Sequence, residues 1–153
     1  LYIEPTENQI PARMTFGLNY SKDGLGCNIN SSVLMNTGYG LRERAYLWGT
    51  VVWESAGQNH ILLSHLHKIV GAIETADIVL KLYGKPGEIL RESYRTTNGT
   101  ALNIDADALV LSSGYTPEEN EVLWYTLESP SPNYTATQLH IGRNGLVGGD
   151  HSF

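Results

Sequence analysis

The sequence predicts an all-β fold, a single-domain β-sandwich or jelly-roll-like barrel of seven or eight strands, with one short helix allowed near residues 60–73. Three observations carry this expectation. Apolar residues recur with period 2 in most segments, which is the spacing of a strand with one buried face. Turn-forming Gly, Pro and Asn clusters interrupt those segments at intervals of roughly 8–15 residues. The most regular segments are dominated by aromatic and β-branched side chains, which fit a pleated surface.

The first strand is expected over residues 13–20, "RMTFGLNY", where Met14, Phe16, Leu18 and Tyr20 share a side. Gly24 and Gly26 end that run, and a short apolar piece leads to Tyr39 between two glycines, which reads as a loop tip. Residues 45–54, "AYLWGTVVWE", form the clearest strand. Tyr46, Trp48, Thr50 and Val52 lie on one face and Leu47, Val51 and Trp53 on the other, so the strand is either central or displays an aromatic ring.

Residues 76–83 and 88–96 flank Gly-Lys-Pro-Gly and read as a hairpin whose second arm turns Arg91, Ser93 and Arg95 to solvent. Residues 107–113 and 121–128 are expected as two further strands. Thr116, Pro117 and Glu119 between them have the form of a helix start, so one helical turn is expected there. Asn144-Gly145, between Ile141 and Leu146, is a hairpin dipeptide that should pair the last two arms.

Composition narrows the function classes. Of 153 residues 41% are hydrophobic and only 17% charged, against roughly 25% charged in an average soluble domain. The surface is therefore built largely from uncharged hydrogen-bonding residues, a pattern expected of an extracellular or surface-exposed module. The net charge is −6 with basic residues spread singly, so no nucleic-acid partner is expected. No apolar run reaches the roughly 18 residues of a membrane span, and no membrane insertion is expected. Cys27 is the one cysteine, which excludes an internal disulfide and a cysteine-based zinc site. The start at Leu1 is read as that of an excised or processed part of a longer chain.

The stretch "NHILLSHLHKIV", residues 59–70, holds three of the five histidines. As a helix it has an apolar stripe of Leu62, Leu66, Ile69, Val70 and Ile73 with Asn59 as cap, and this template matches slightly better than a strand. As a strand it would project His65 and His67 to one side, and His140 on a later strand would complete a three-histidine site for zinc or another transition metal. The His65-x-His67 pair resembles the first half of a cupin motif and His140 with Asn144 a fragment of the second, although no Pro-x-Gly precedes His140. That resemblance implies a metal-dependent β-barrel protein, either an enzyme or a metal-assisted adhesin.

Asn103, Asp105 and Asp107 imitate the start of a calcium loop, but Ala108 and Gly114 stand where its glycine and glutamate belong, and a capped acidic turn is expected instead. Nucleophilic catalysis has no signature. With three Trp and nine Tyr, some rings are expected at the surface beside polar loops. Tyr39, Trp53, Tyr115 and Tyr134 are the candidate ligand-binding residues.

The leading expectation is a non-enzymatic domain of an extracellular appendage, of the fimbrial tip adhesin or phage or viral fibre head type, that binds a host-surface glycan or glycoprotein and requires no cofactor. The alternatives are the metal-dependent protein built on His65, His67 and His140, and a structural subunit of a surface assembly or homo-oligomer that offers its edge strands to neighbours.

Overall fold

The two plainest turn signals are where the chain reverses. In the computed structural model, which describes residues 13–22, 25–34, 44–65, 74–131 and 134–151, the order is β1 Arg13–Lys22, β2 Leu25–Leu34, β3 Ala45–Val52, β4 Gln58–His65, β5 Thr75–Gly84, β6 Gly87–Thr97, β7 Ala101–Asp105, α1 Ala106–Ser112, β8 Val122–Ser129, β9 Tyr134–Ile141 and β10 Val147–His151. Gly84 pairs with Gly87 around Lys85 and Pro86, and Gly87 has φ of 111°, a conformation that a side chain would oppose. Gly142 N–H donates to Leu146 O at 2.8 Å to close the β9–β10 hairpin, with Gly145 at φ of 80°.

Eight of these strands form two antiparallel four-stranded sheets, in the orders β10-β9-β4-β7 and β3-β8-β5-β6, and β1 pairs with β2 in a separate ribbon. The sheets pack face to face as a β-sandwich. Each sheet gives alternate residues to the interior: Leu47 and Val51 of β3, Ile61 and Leu63 of β4, Ile78, Leu80 and Leu82 of β5, Leu123, Tyr125 and Leu127 of β8, and Ala136 of β9. Each fully buried Leu or Ile contributes roughly 1.5–3 kcal/mol. On β6, Arg91, Ser93 and Arg95 are exposed, as the alternation predicts.

Three local expectations are corrected. Residues 58–65 are strand, not helix, because β4 is hydrogen-bonded on both sides, to β9 and to β7; residues 66–73 lie outside the described residues. Of the apolar stripe, only Leu62 lies on β4; Leu66, Ile69, Val70 and Ile73 fall outside the described residues. The segment read as a strand over 107–113 is instead α1, since Asp105 accepts a hydrogen bond from Ala108 N at 2.9 Å and Asp107 sits in the first turn. No helical turn forms at Thr116. Glu121, not Glu119, turns back to accept from Glu118 N at 3.0 Å, and Asn120 takes φ of 64°.

Candidate functional site

The outer face of the β3-β8-β5-β6 sheet divides into an aromatic half and a charged half. Register places Trp48 opposite Thr126 and Trp124 opposite Thr50, so the two indoles are diagonal neighbours on one face. Their ring centroids are 5.5 Å apart with planes tilted by 38°. Trp124 is 50% exposed, Trp48 39%, and Tyr46 and Val122 complete the patch at 53% and 50%. A patch of exposed aromatic and apolar side chains of this kind is a surface that another molecule can contact.

On the other half, Lys81 of β5 donates to Glu128 at 2.5 Å, and this bond raises the Lys81 ammonium above its ordinary value. Arg91 forks onto both Glu88 oxygens at 2.9 and 3.0 Å, which lowers the Glu88 carboxyl. The charges are paired with one another, and the aromatic half is bordered by neutralised groups.

Along the β3 edge the aromatic face meets a cleft of about 280 Å³ lined by Thr50, Val52, Asn59, Gln138, His140 and Asp150 among others. Thr50 and Val52 belong to both. Gln138 spans the gap between the sheets: its Oε1 accepts from Thr50 N at 2.7 Å and from the Tyr125 hydroxyl at 3.4 Å. Gly49 makes this approach possible, since a Cβ there would overlap Gln138 Oε1 and the Tyr125 hydroxyl.

Interior polar residues bracket the core at both ends of the β4–β9 ladder. At one end His65 faces Tyr134, their rings stacked at 4.4 Å and 20°. Thr96 Oγ1 donates to Ala76 O at 3.3 Å, so it accepts from the Tyr134 hydroxyl and from His65 Nδ1–H at 3.2 Å. Ser131 Oγ–H then donates to His65 Nε2 at 3.3 Å. Burial holds the His65 imidazole below its ordinary value, with Glu74 opposing. At the other end Asn59 faces His140, and the two meet through Asn59 Oδ1 and His140 Nδ1 at 2.9 Å.

These placements revise the expected sites. His65 and His140 stand six register positions apart on the same ladder, roughly 20 Å at about 3.3 Å per residue, so they cannot share a metal ion. Both His65 ring nitrogens are engaged by hydroxyls, and His67 lies outside the described residues. Among the described residues no three His, Cys, Asp or Glu side chains converge on a metal position.

Tyr134 is not a loop ring but the first residue of β9 and is buried at 5% exposure. Trp53 and Tyr115 are half-buried and pack on the core, and the Tyr115 hydroxyl donates to Glu121 at 2.7 Å. Tyr39 lies outside the described residues. The rings that the structure does expose together are Tyr46, Trp48 and Trp124. The period-2 pattern of residues 45–54 signals the first two, but pairing Trp48 with Trp124 needs the β3–β8 register.

No protein-family model, no curated protein sequence and no solved structure matches the chain.

Proposed function

We propose that the protein is a non-enzymatic recognition domain that binds a glycan on its aromatic face, in the manner of a surface-exposed adhesin or fibre-head module. The single observation that carries this reading is the exposed Trp48–Trp124 pair, continuous through Thr50 and Val52 with a polar cleft. An apolar ring platform beside a few convergent hydrogen-bonding groups suits a pyranose, which presents a C–H face to the rings and hydroxyls to Gln138, Asp150 and Thr50. A protein partner would need roughly 800 Å² of face, and here the apolar part is confined to β3 and β8 and bordered by charges already paired with each other.

A panel of immobilised neutral and acidic oligosaccharides, probed with the wild-type chain and with a Trp48→Ala/Trp124→Ala variant, tests this. Ligands retained by the wild type and lost by the variant support recognition of glycans by this face. A folded wild-type chain that captures none of them refutes the reading.

A further inference from the structure

The Asn59 amide is 3% exposed and its orientation is forced. Its Nδ2 donates to Asp107 Oδ1 at 2.8 Å and to Val52 O at 3.0 Å, while its backbone N–H donates to Asp107 Oδ2 at 2.5 Å. Both Nδ2 hydrogens are thus used against acceptors, and Oδ1 can only accept. His140 Nδ1, 2.9 Å away, therefore carries a hydrogen, and in the neutral ring His140 Nε2 presents its lone pair.

That lone pair faces another acceptor. Glu54 Oε1 is 3.8 Å from His140 Nε2, and both side chains reach solvent, at 20% and 26% exposure. Gly142, on the β9–β10 turn, leaves a space beside them: a Cβ there would stand 3.1 Å from Asn144 Oδ1, 3.5 Å from Glu54 Oε2 and 3.6 Å from His140 Nε2. Asn144 Oδ1 is also fixed as an acceptor, by Leu146 N at 3.0 Å, and Glu54 Oε2 by Arg143 N at 3.0 Å. An imidazole nitrogen, a carboxylate and an amide oxygen thus border one small space, each held by a further hydrogen bond. Electrostatics favours a cation there, and a nitrogen and oxygen donor set with an imidazole locked from behind suits a divalent transition metal.

We propose that His140 Nε2, the Glu54 carboxylate and Asn144 Oδ1 form a binding site for a divalent transition-metal ion such as zinc, with water completing its coordination. The site shares His140 with the wall of the cleft but includes none of the aromatic-face residues, and its metal titration requires no glycan. It keeps His140 from the three-histidine expectation and replaces His65 and His67 with groups that the β3–β4 and β9–β10 turns bring beside it.

Titrating the metal-stripped chain with Co²⁺, followed by its visible absorption and by Zn²⁺ competition, tests the proposal. The expected result is about one equivalent bound, with affinity reduced about tenfold or more in both His140→Gln and Glu54→Gln. Gly142→Ala is the sharper variant, because it removes no ligand and its backbone is not in the left-handed region, yet its methyl enters the space between the donors. It should weaken binding by a similar factor with an unchanged circular dichroism spectrum, whereas His60→Gln should bind as the wild type does. Absence of a Co²⁺ spectrum in the folded wild type overturns the proposal. Affinity that survives both Glu54→Gln and Gly142→Ala overturns it equally.

Discussion

His65 and Tyr134 stack across the β4–β9 ladder with their rings 4.4 Å apart, and His65 is held neutral there by two hydroxyl partners in a site that is 1% exposed. Burial lowers its folded-state value, so the unfolded chain binds the proton more readily. This contribution to stability is complete above the unfolded value of about 6.5 and is lost as pH falls from there through the folded value. Urea midpoints between pH 7.5 and 5 should fall more steeply for the wild type than for His65→Gln, by up to about 1.4 kcal/mol per pH unit within that window. Parallel curves for the two proteins would show that His65 does not titrate on unfolding.

Gly49 lies where the two sheets meet beside the cleft, against Gln138 and Tyr125. A methyl group there would collide with Gln138 Oε1 and the Tyr125 hydroxyl and lie 2.6 Å from Tyr125 Cζ, in a region where β3 and β9 cannot separate without losing the bond from Thr50 N to Gln138 Oε1. Gly49→Ala should cost about 1–3 kcal/mol in urea unfolding. An unchanged midpoint would mean that the inter-sheet contact is looser than described.

Thr126 lies on the outer face between Trp48 and Lys81 in register, and its buried Oγ1 has no hydrogen-bond partner among the described residues. A hydroxyl desolvated in this way opposes folding. Thr126→Val keeps the branched shape and the strand preference, and it should raise the thermal midpoint, by the equivalent of about 1 kcal/mol. A lower midpoint would show that the hydroxyl has a partner in solution.

The hairpins and the alternating strands were legible because their determinants are local: Gly-Lys-Pro-Gly, Asn144-Gly145 and the period-2 pattern of residues 45–52 each act over a few residues. Residues 107–113 misled because the short apolar run Leu109-Val110-Leu111 does not distinguish a buried strand from a helix, whereas the Asp105 cap and the Asp107 contact to Asn59 decide for a short helix. The histidine run misled for a different reason. Its interior face carries Asn59 and His65 at either end of Ile61 and Leu63, and those polar residues are satisfied only by partners outside the run, Asp107, Val52 and His140 for Asn59 and Thr96 and Ser131 for His65.

The candidate site was half legible. Tyr46 and Trp48 share a side on any strand reading, but their meeting with Trp124 depends on the β3–β8 register, and that of Glu54, His140 and Asn144 on two turns far apart in sequence. Tyr134 was misplaced because the Ser-Pro-Ser-Pro-Asn stretch before it resembles a loop, while β9 begins at the tyrosine itself.

Recognition through the paired indoles is tested most directly by the affinity of Trp48→Ala and Trp124→Ala for the strongest oligosaccharide from the panel, measured by calorimetry beside the wild type and Tyr115→Phe. Each tryptophan variant should bind about tenfold or more weakly, a loss of about 1.4 kcal/mol or more, while keeping the circular dichroism spectrum of the folded wild type, and Tyr115→Phe should bind normally. Wild-type affinity in both tryptophan variants would contradict a glycan site on this face.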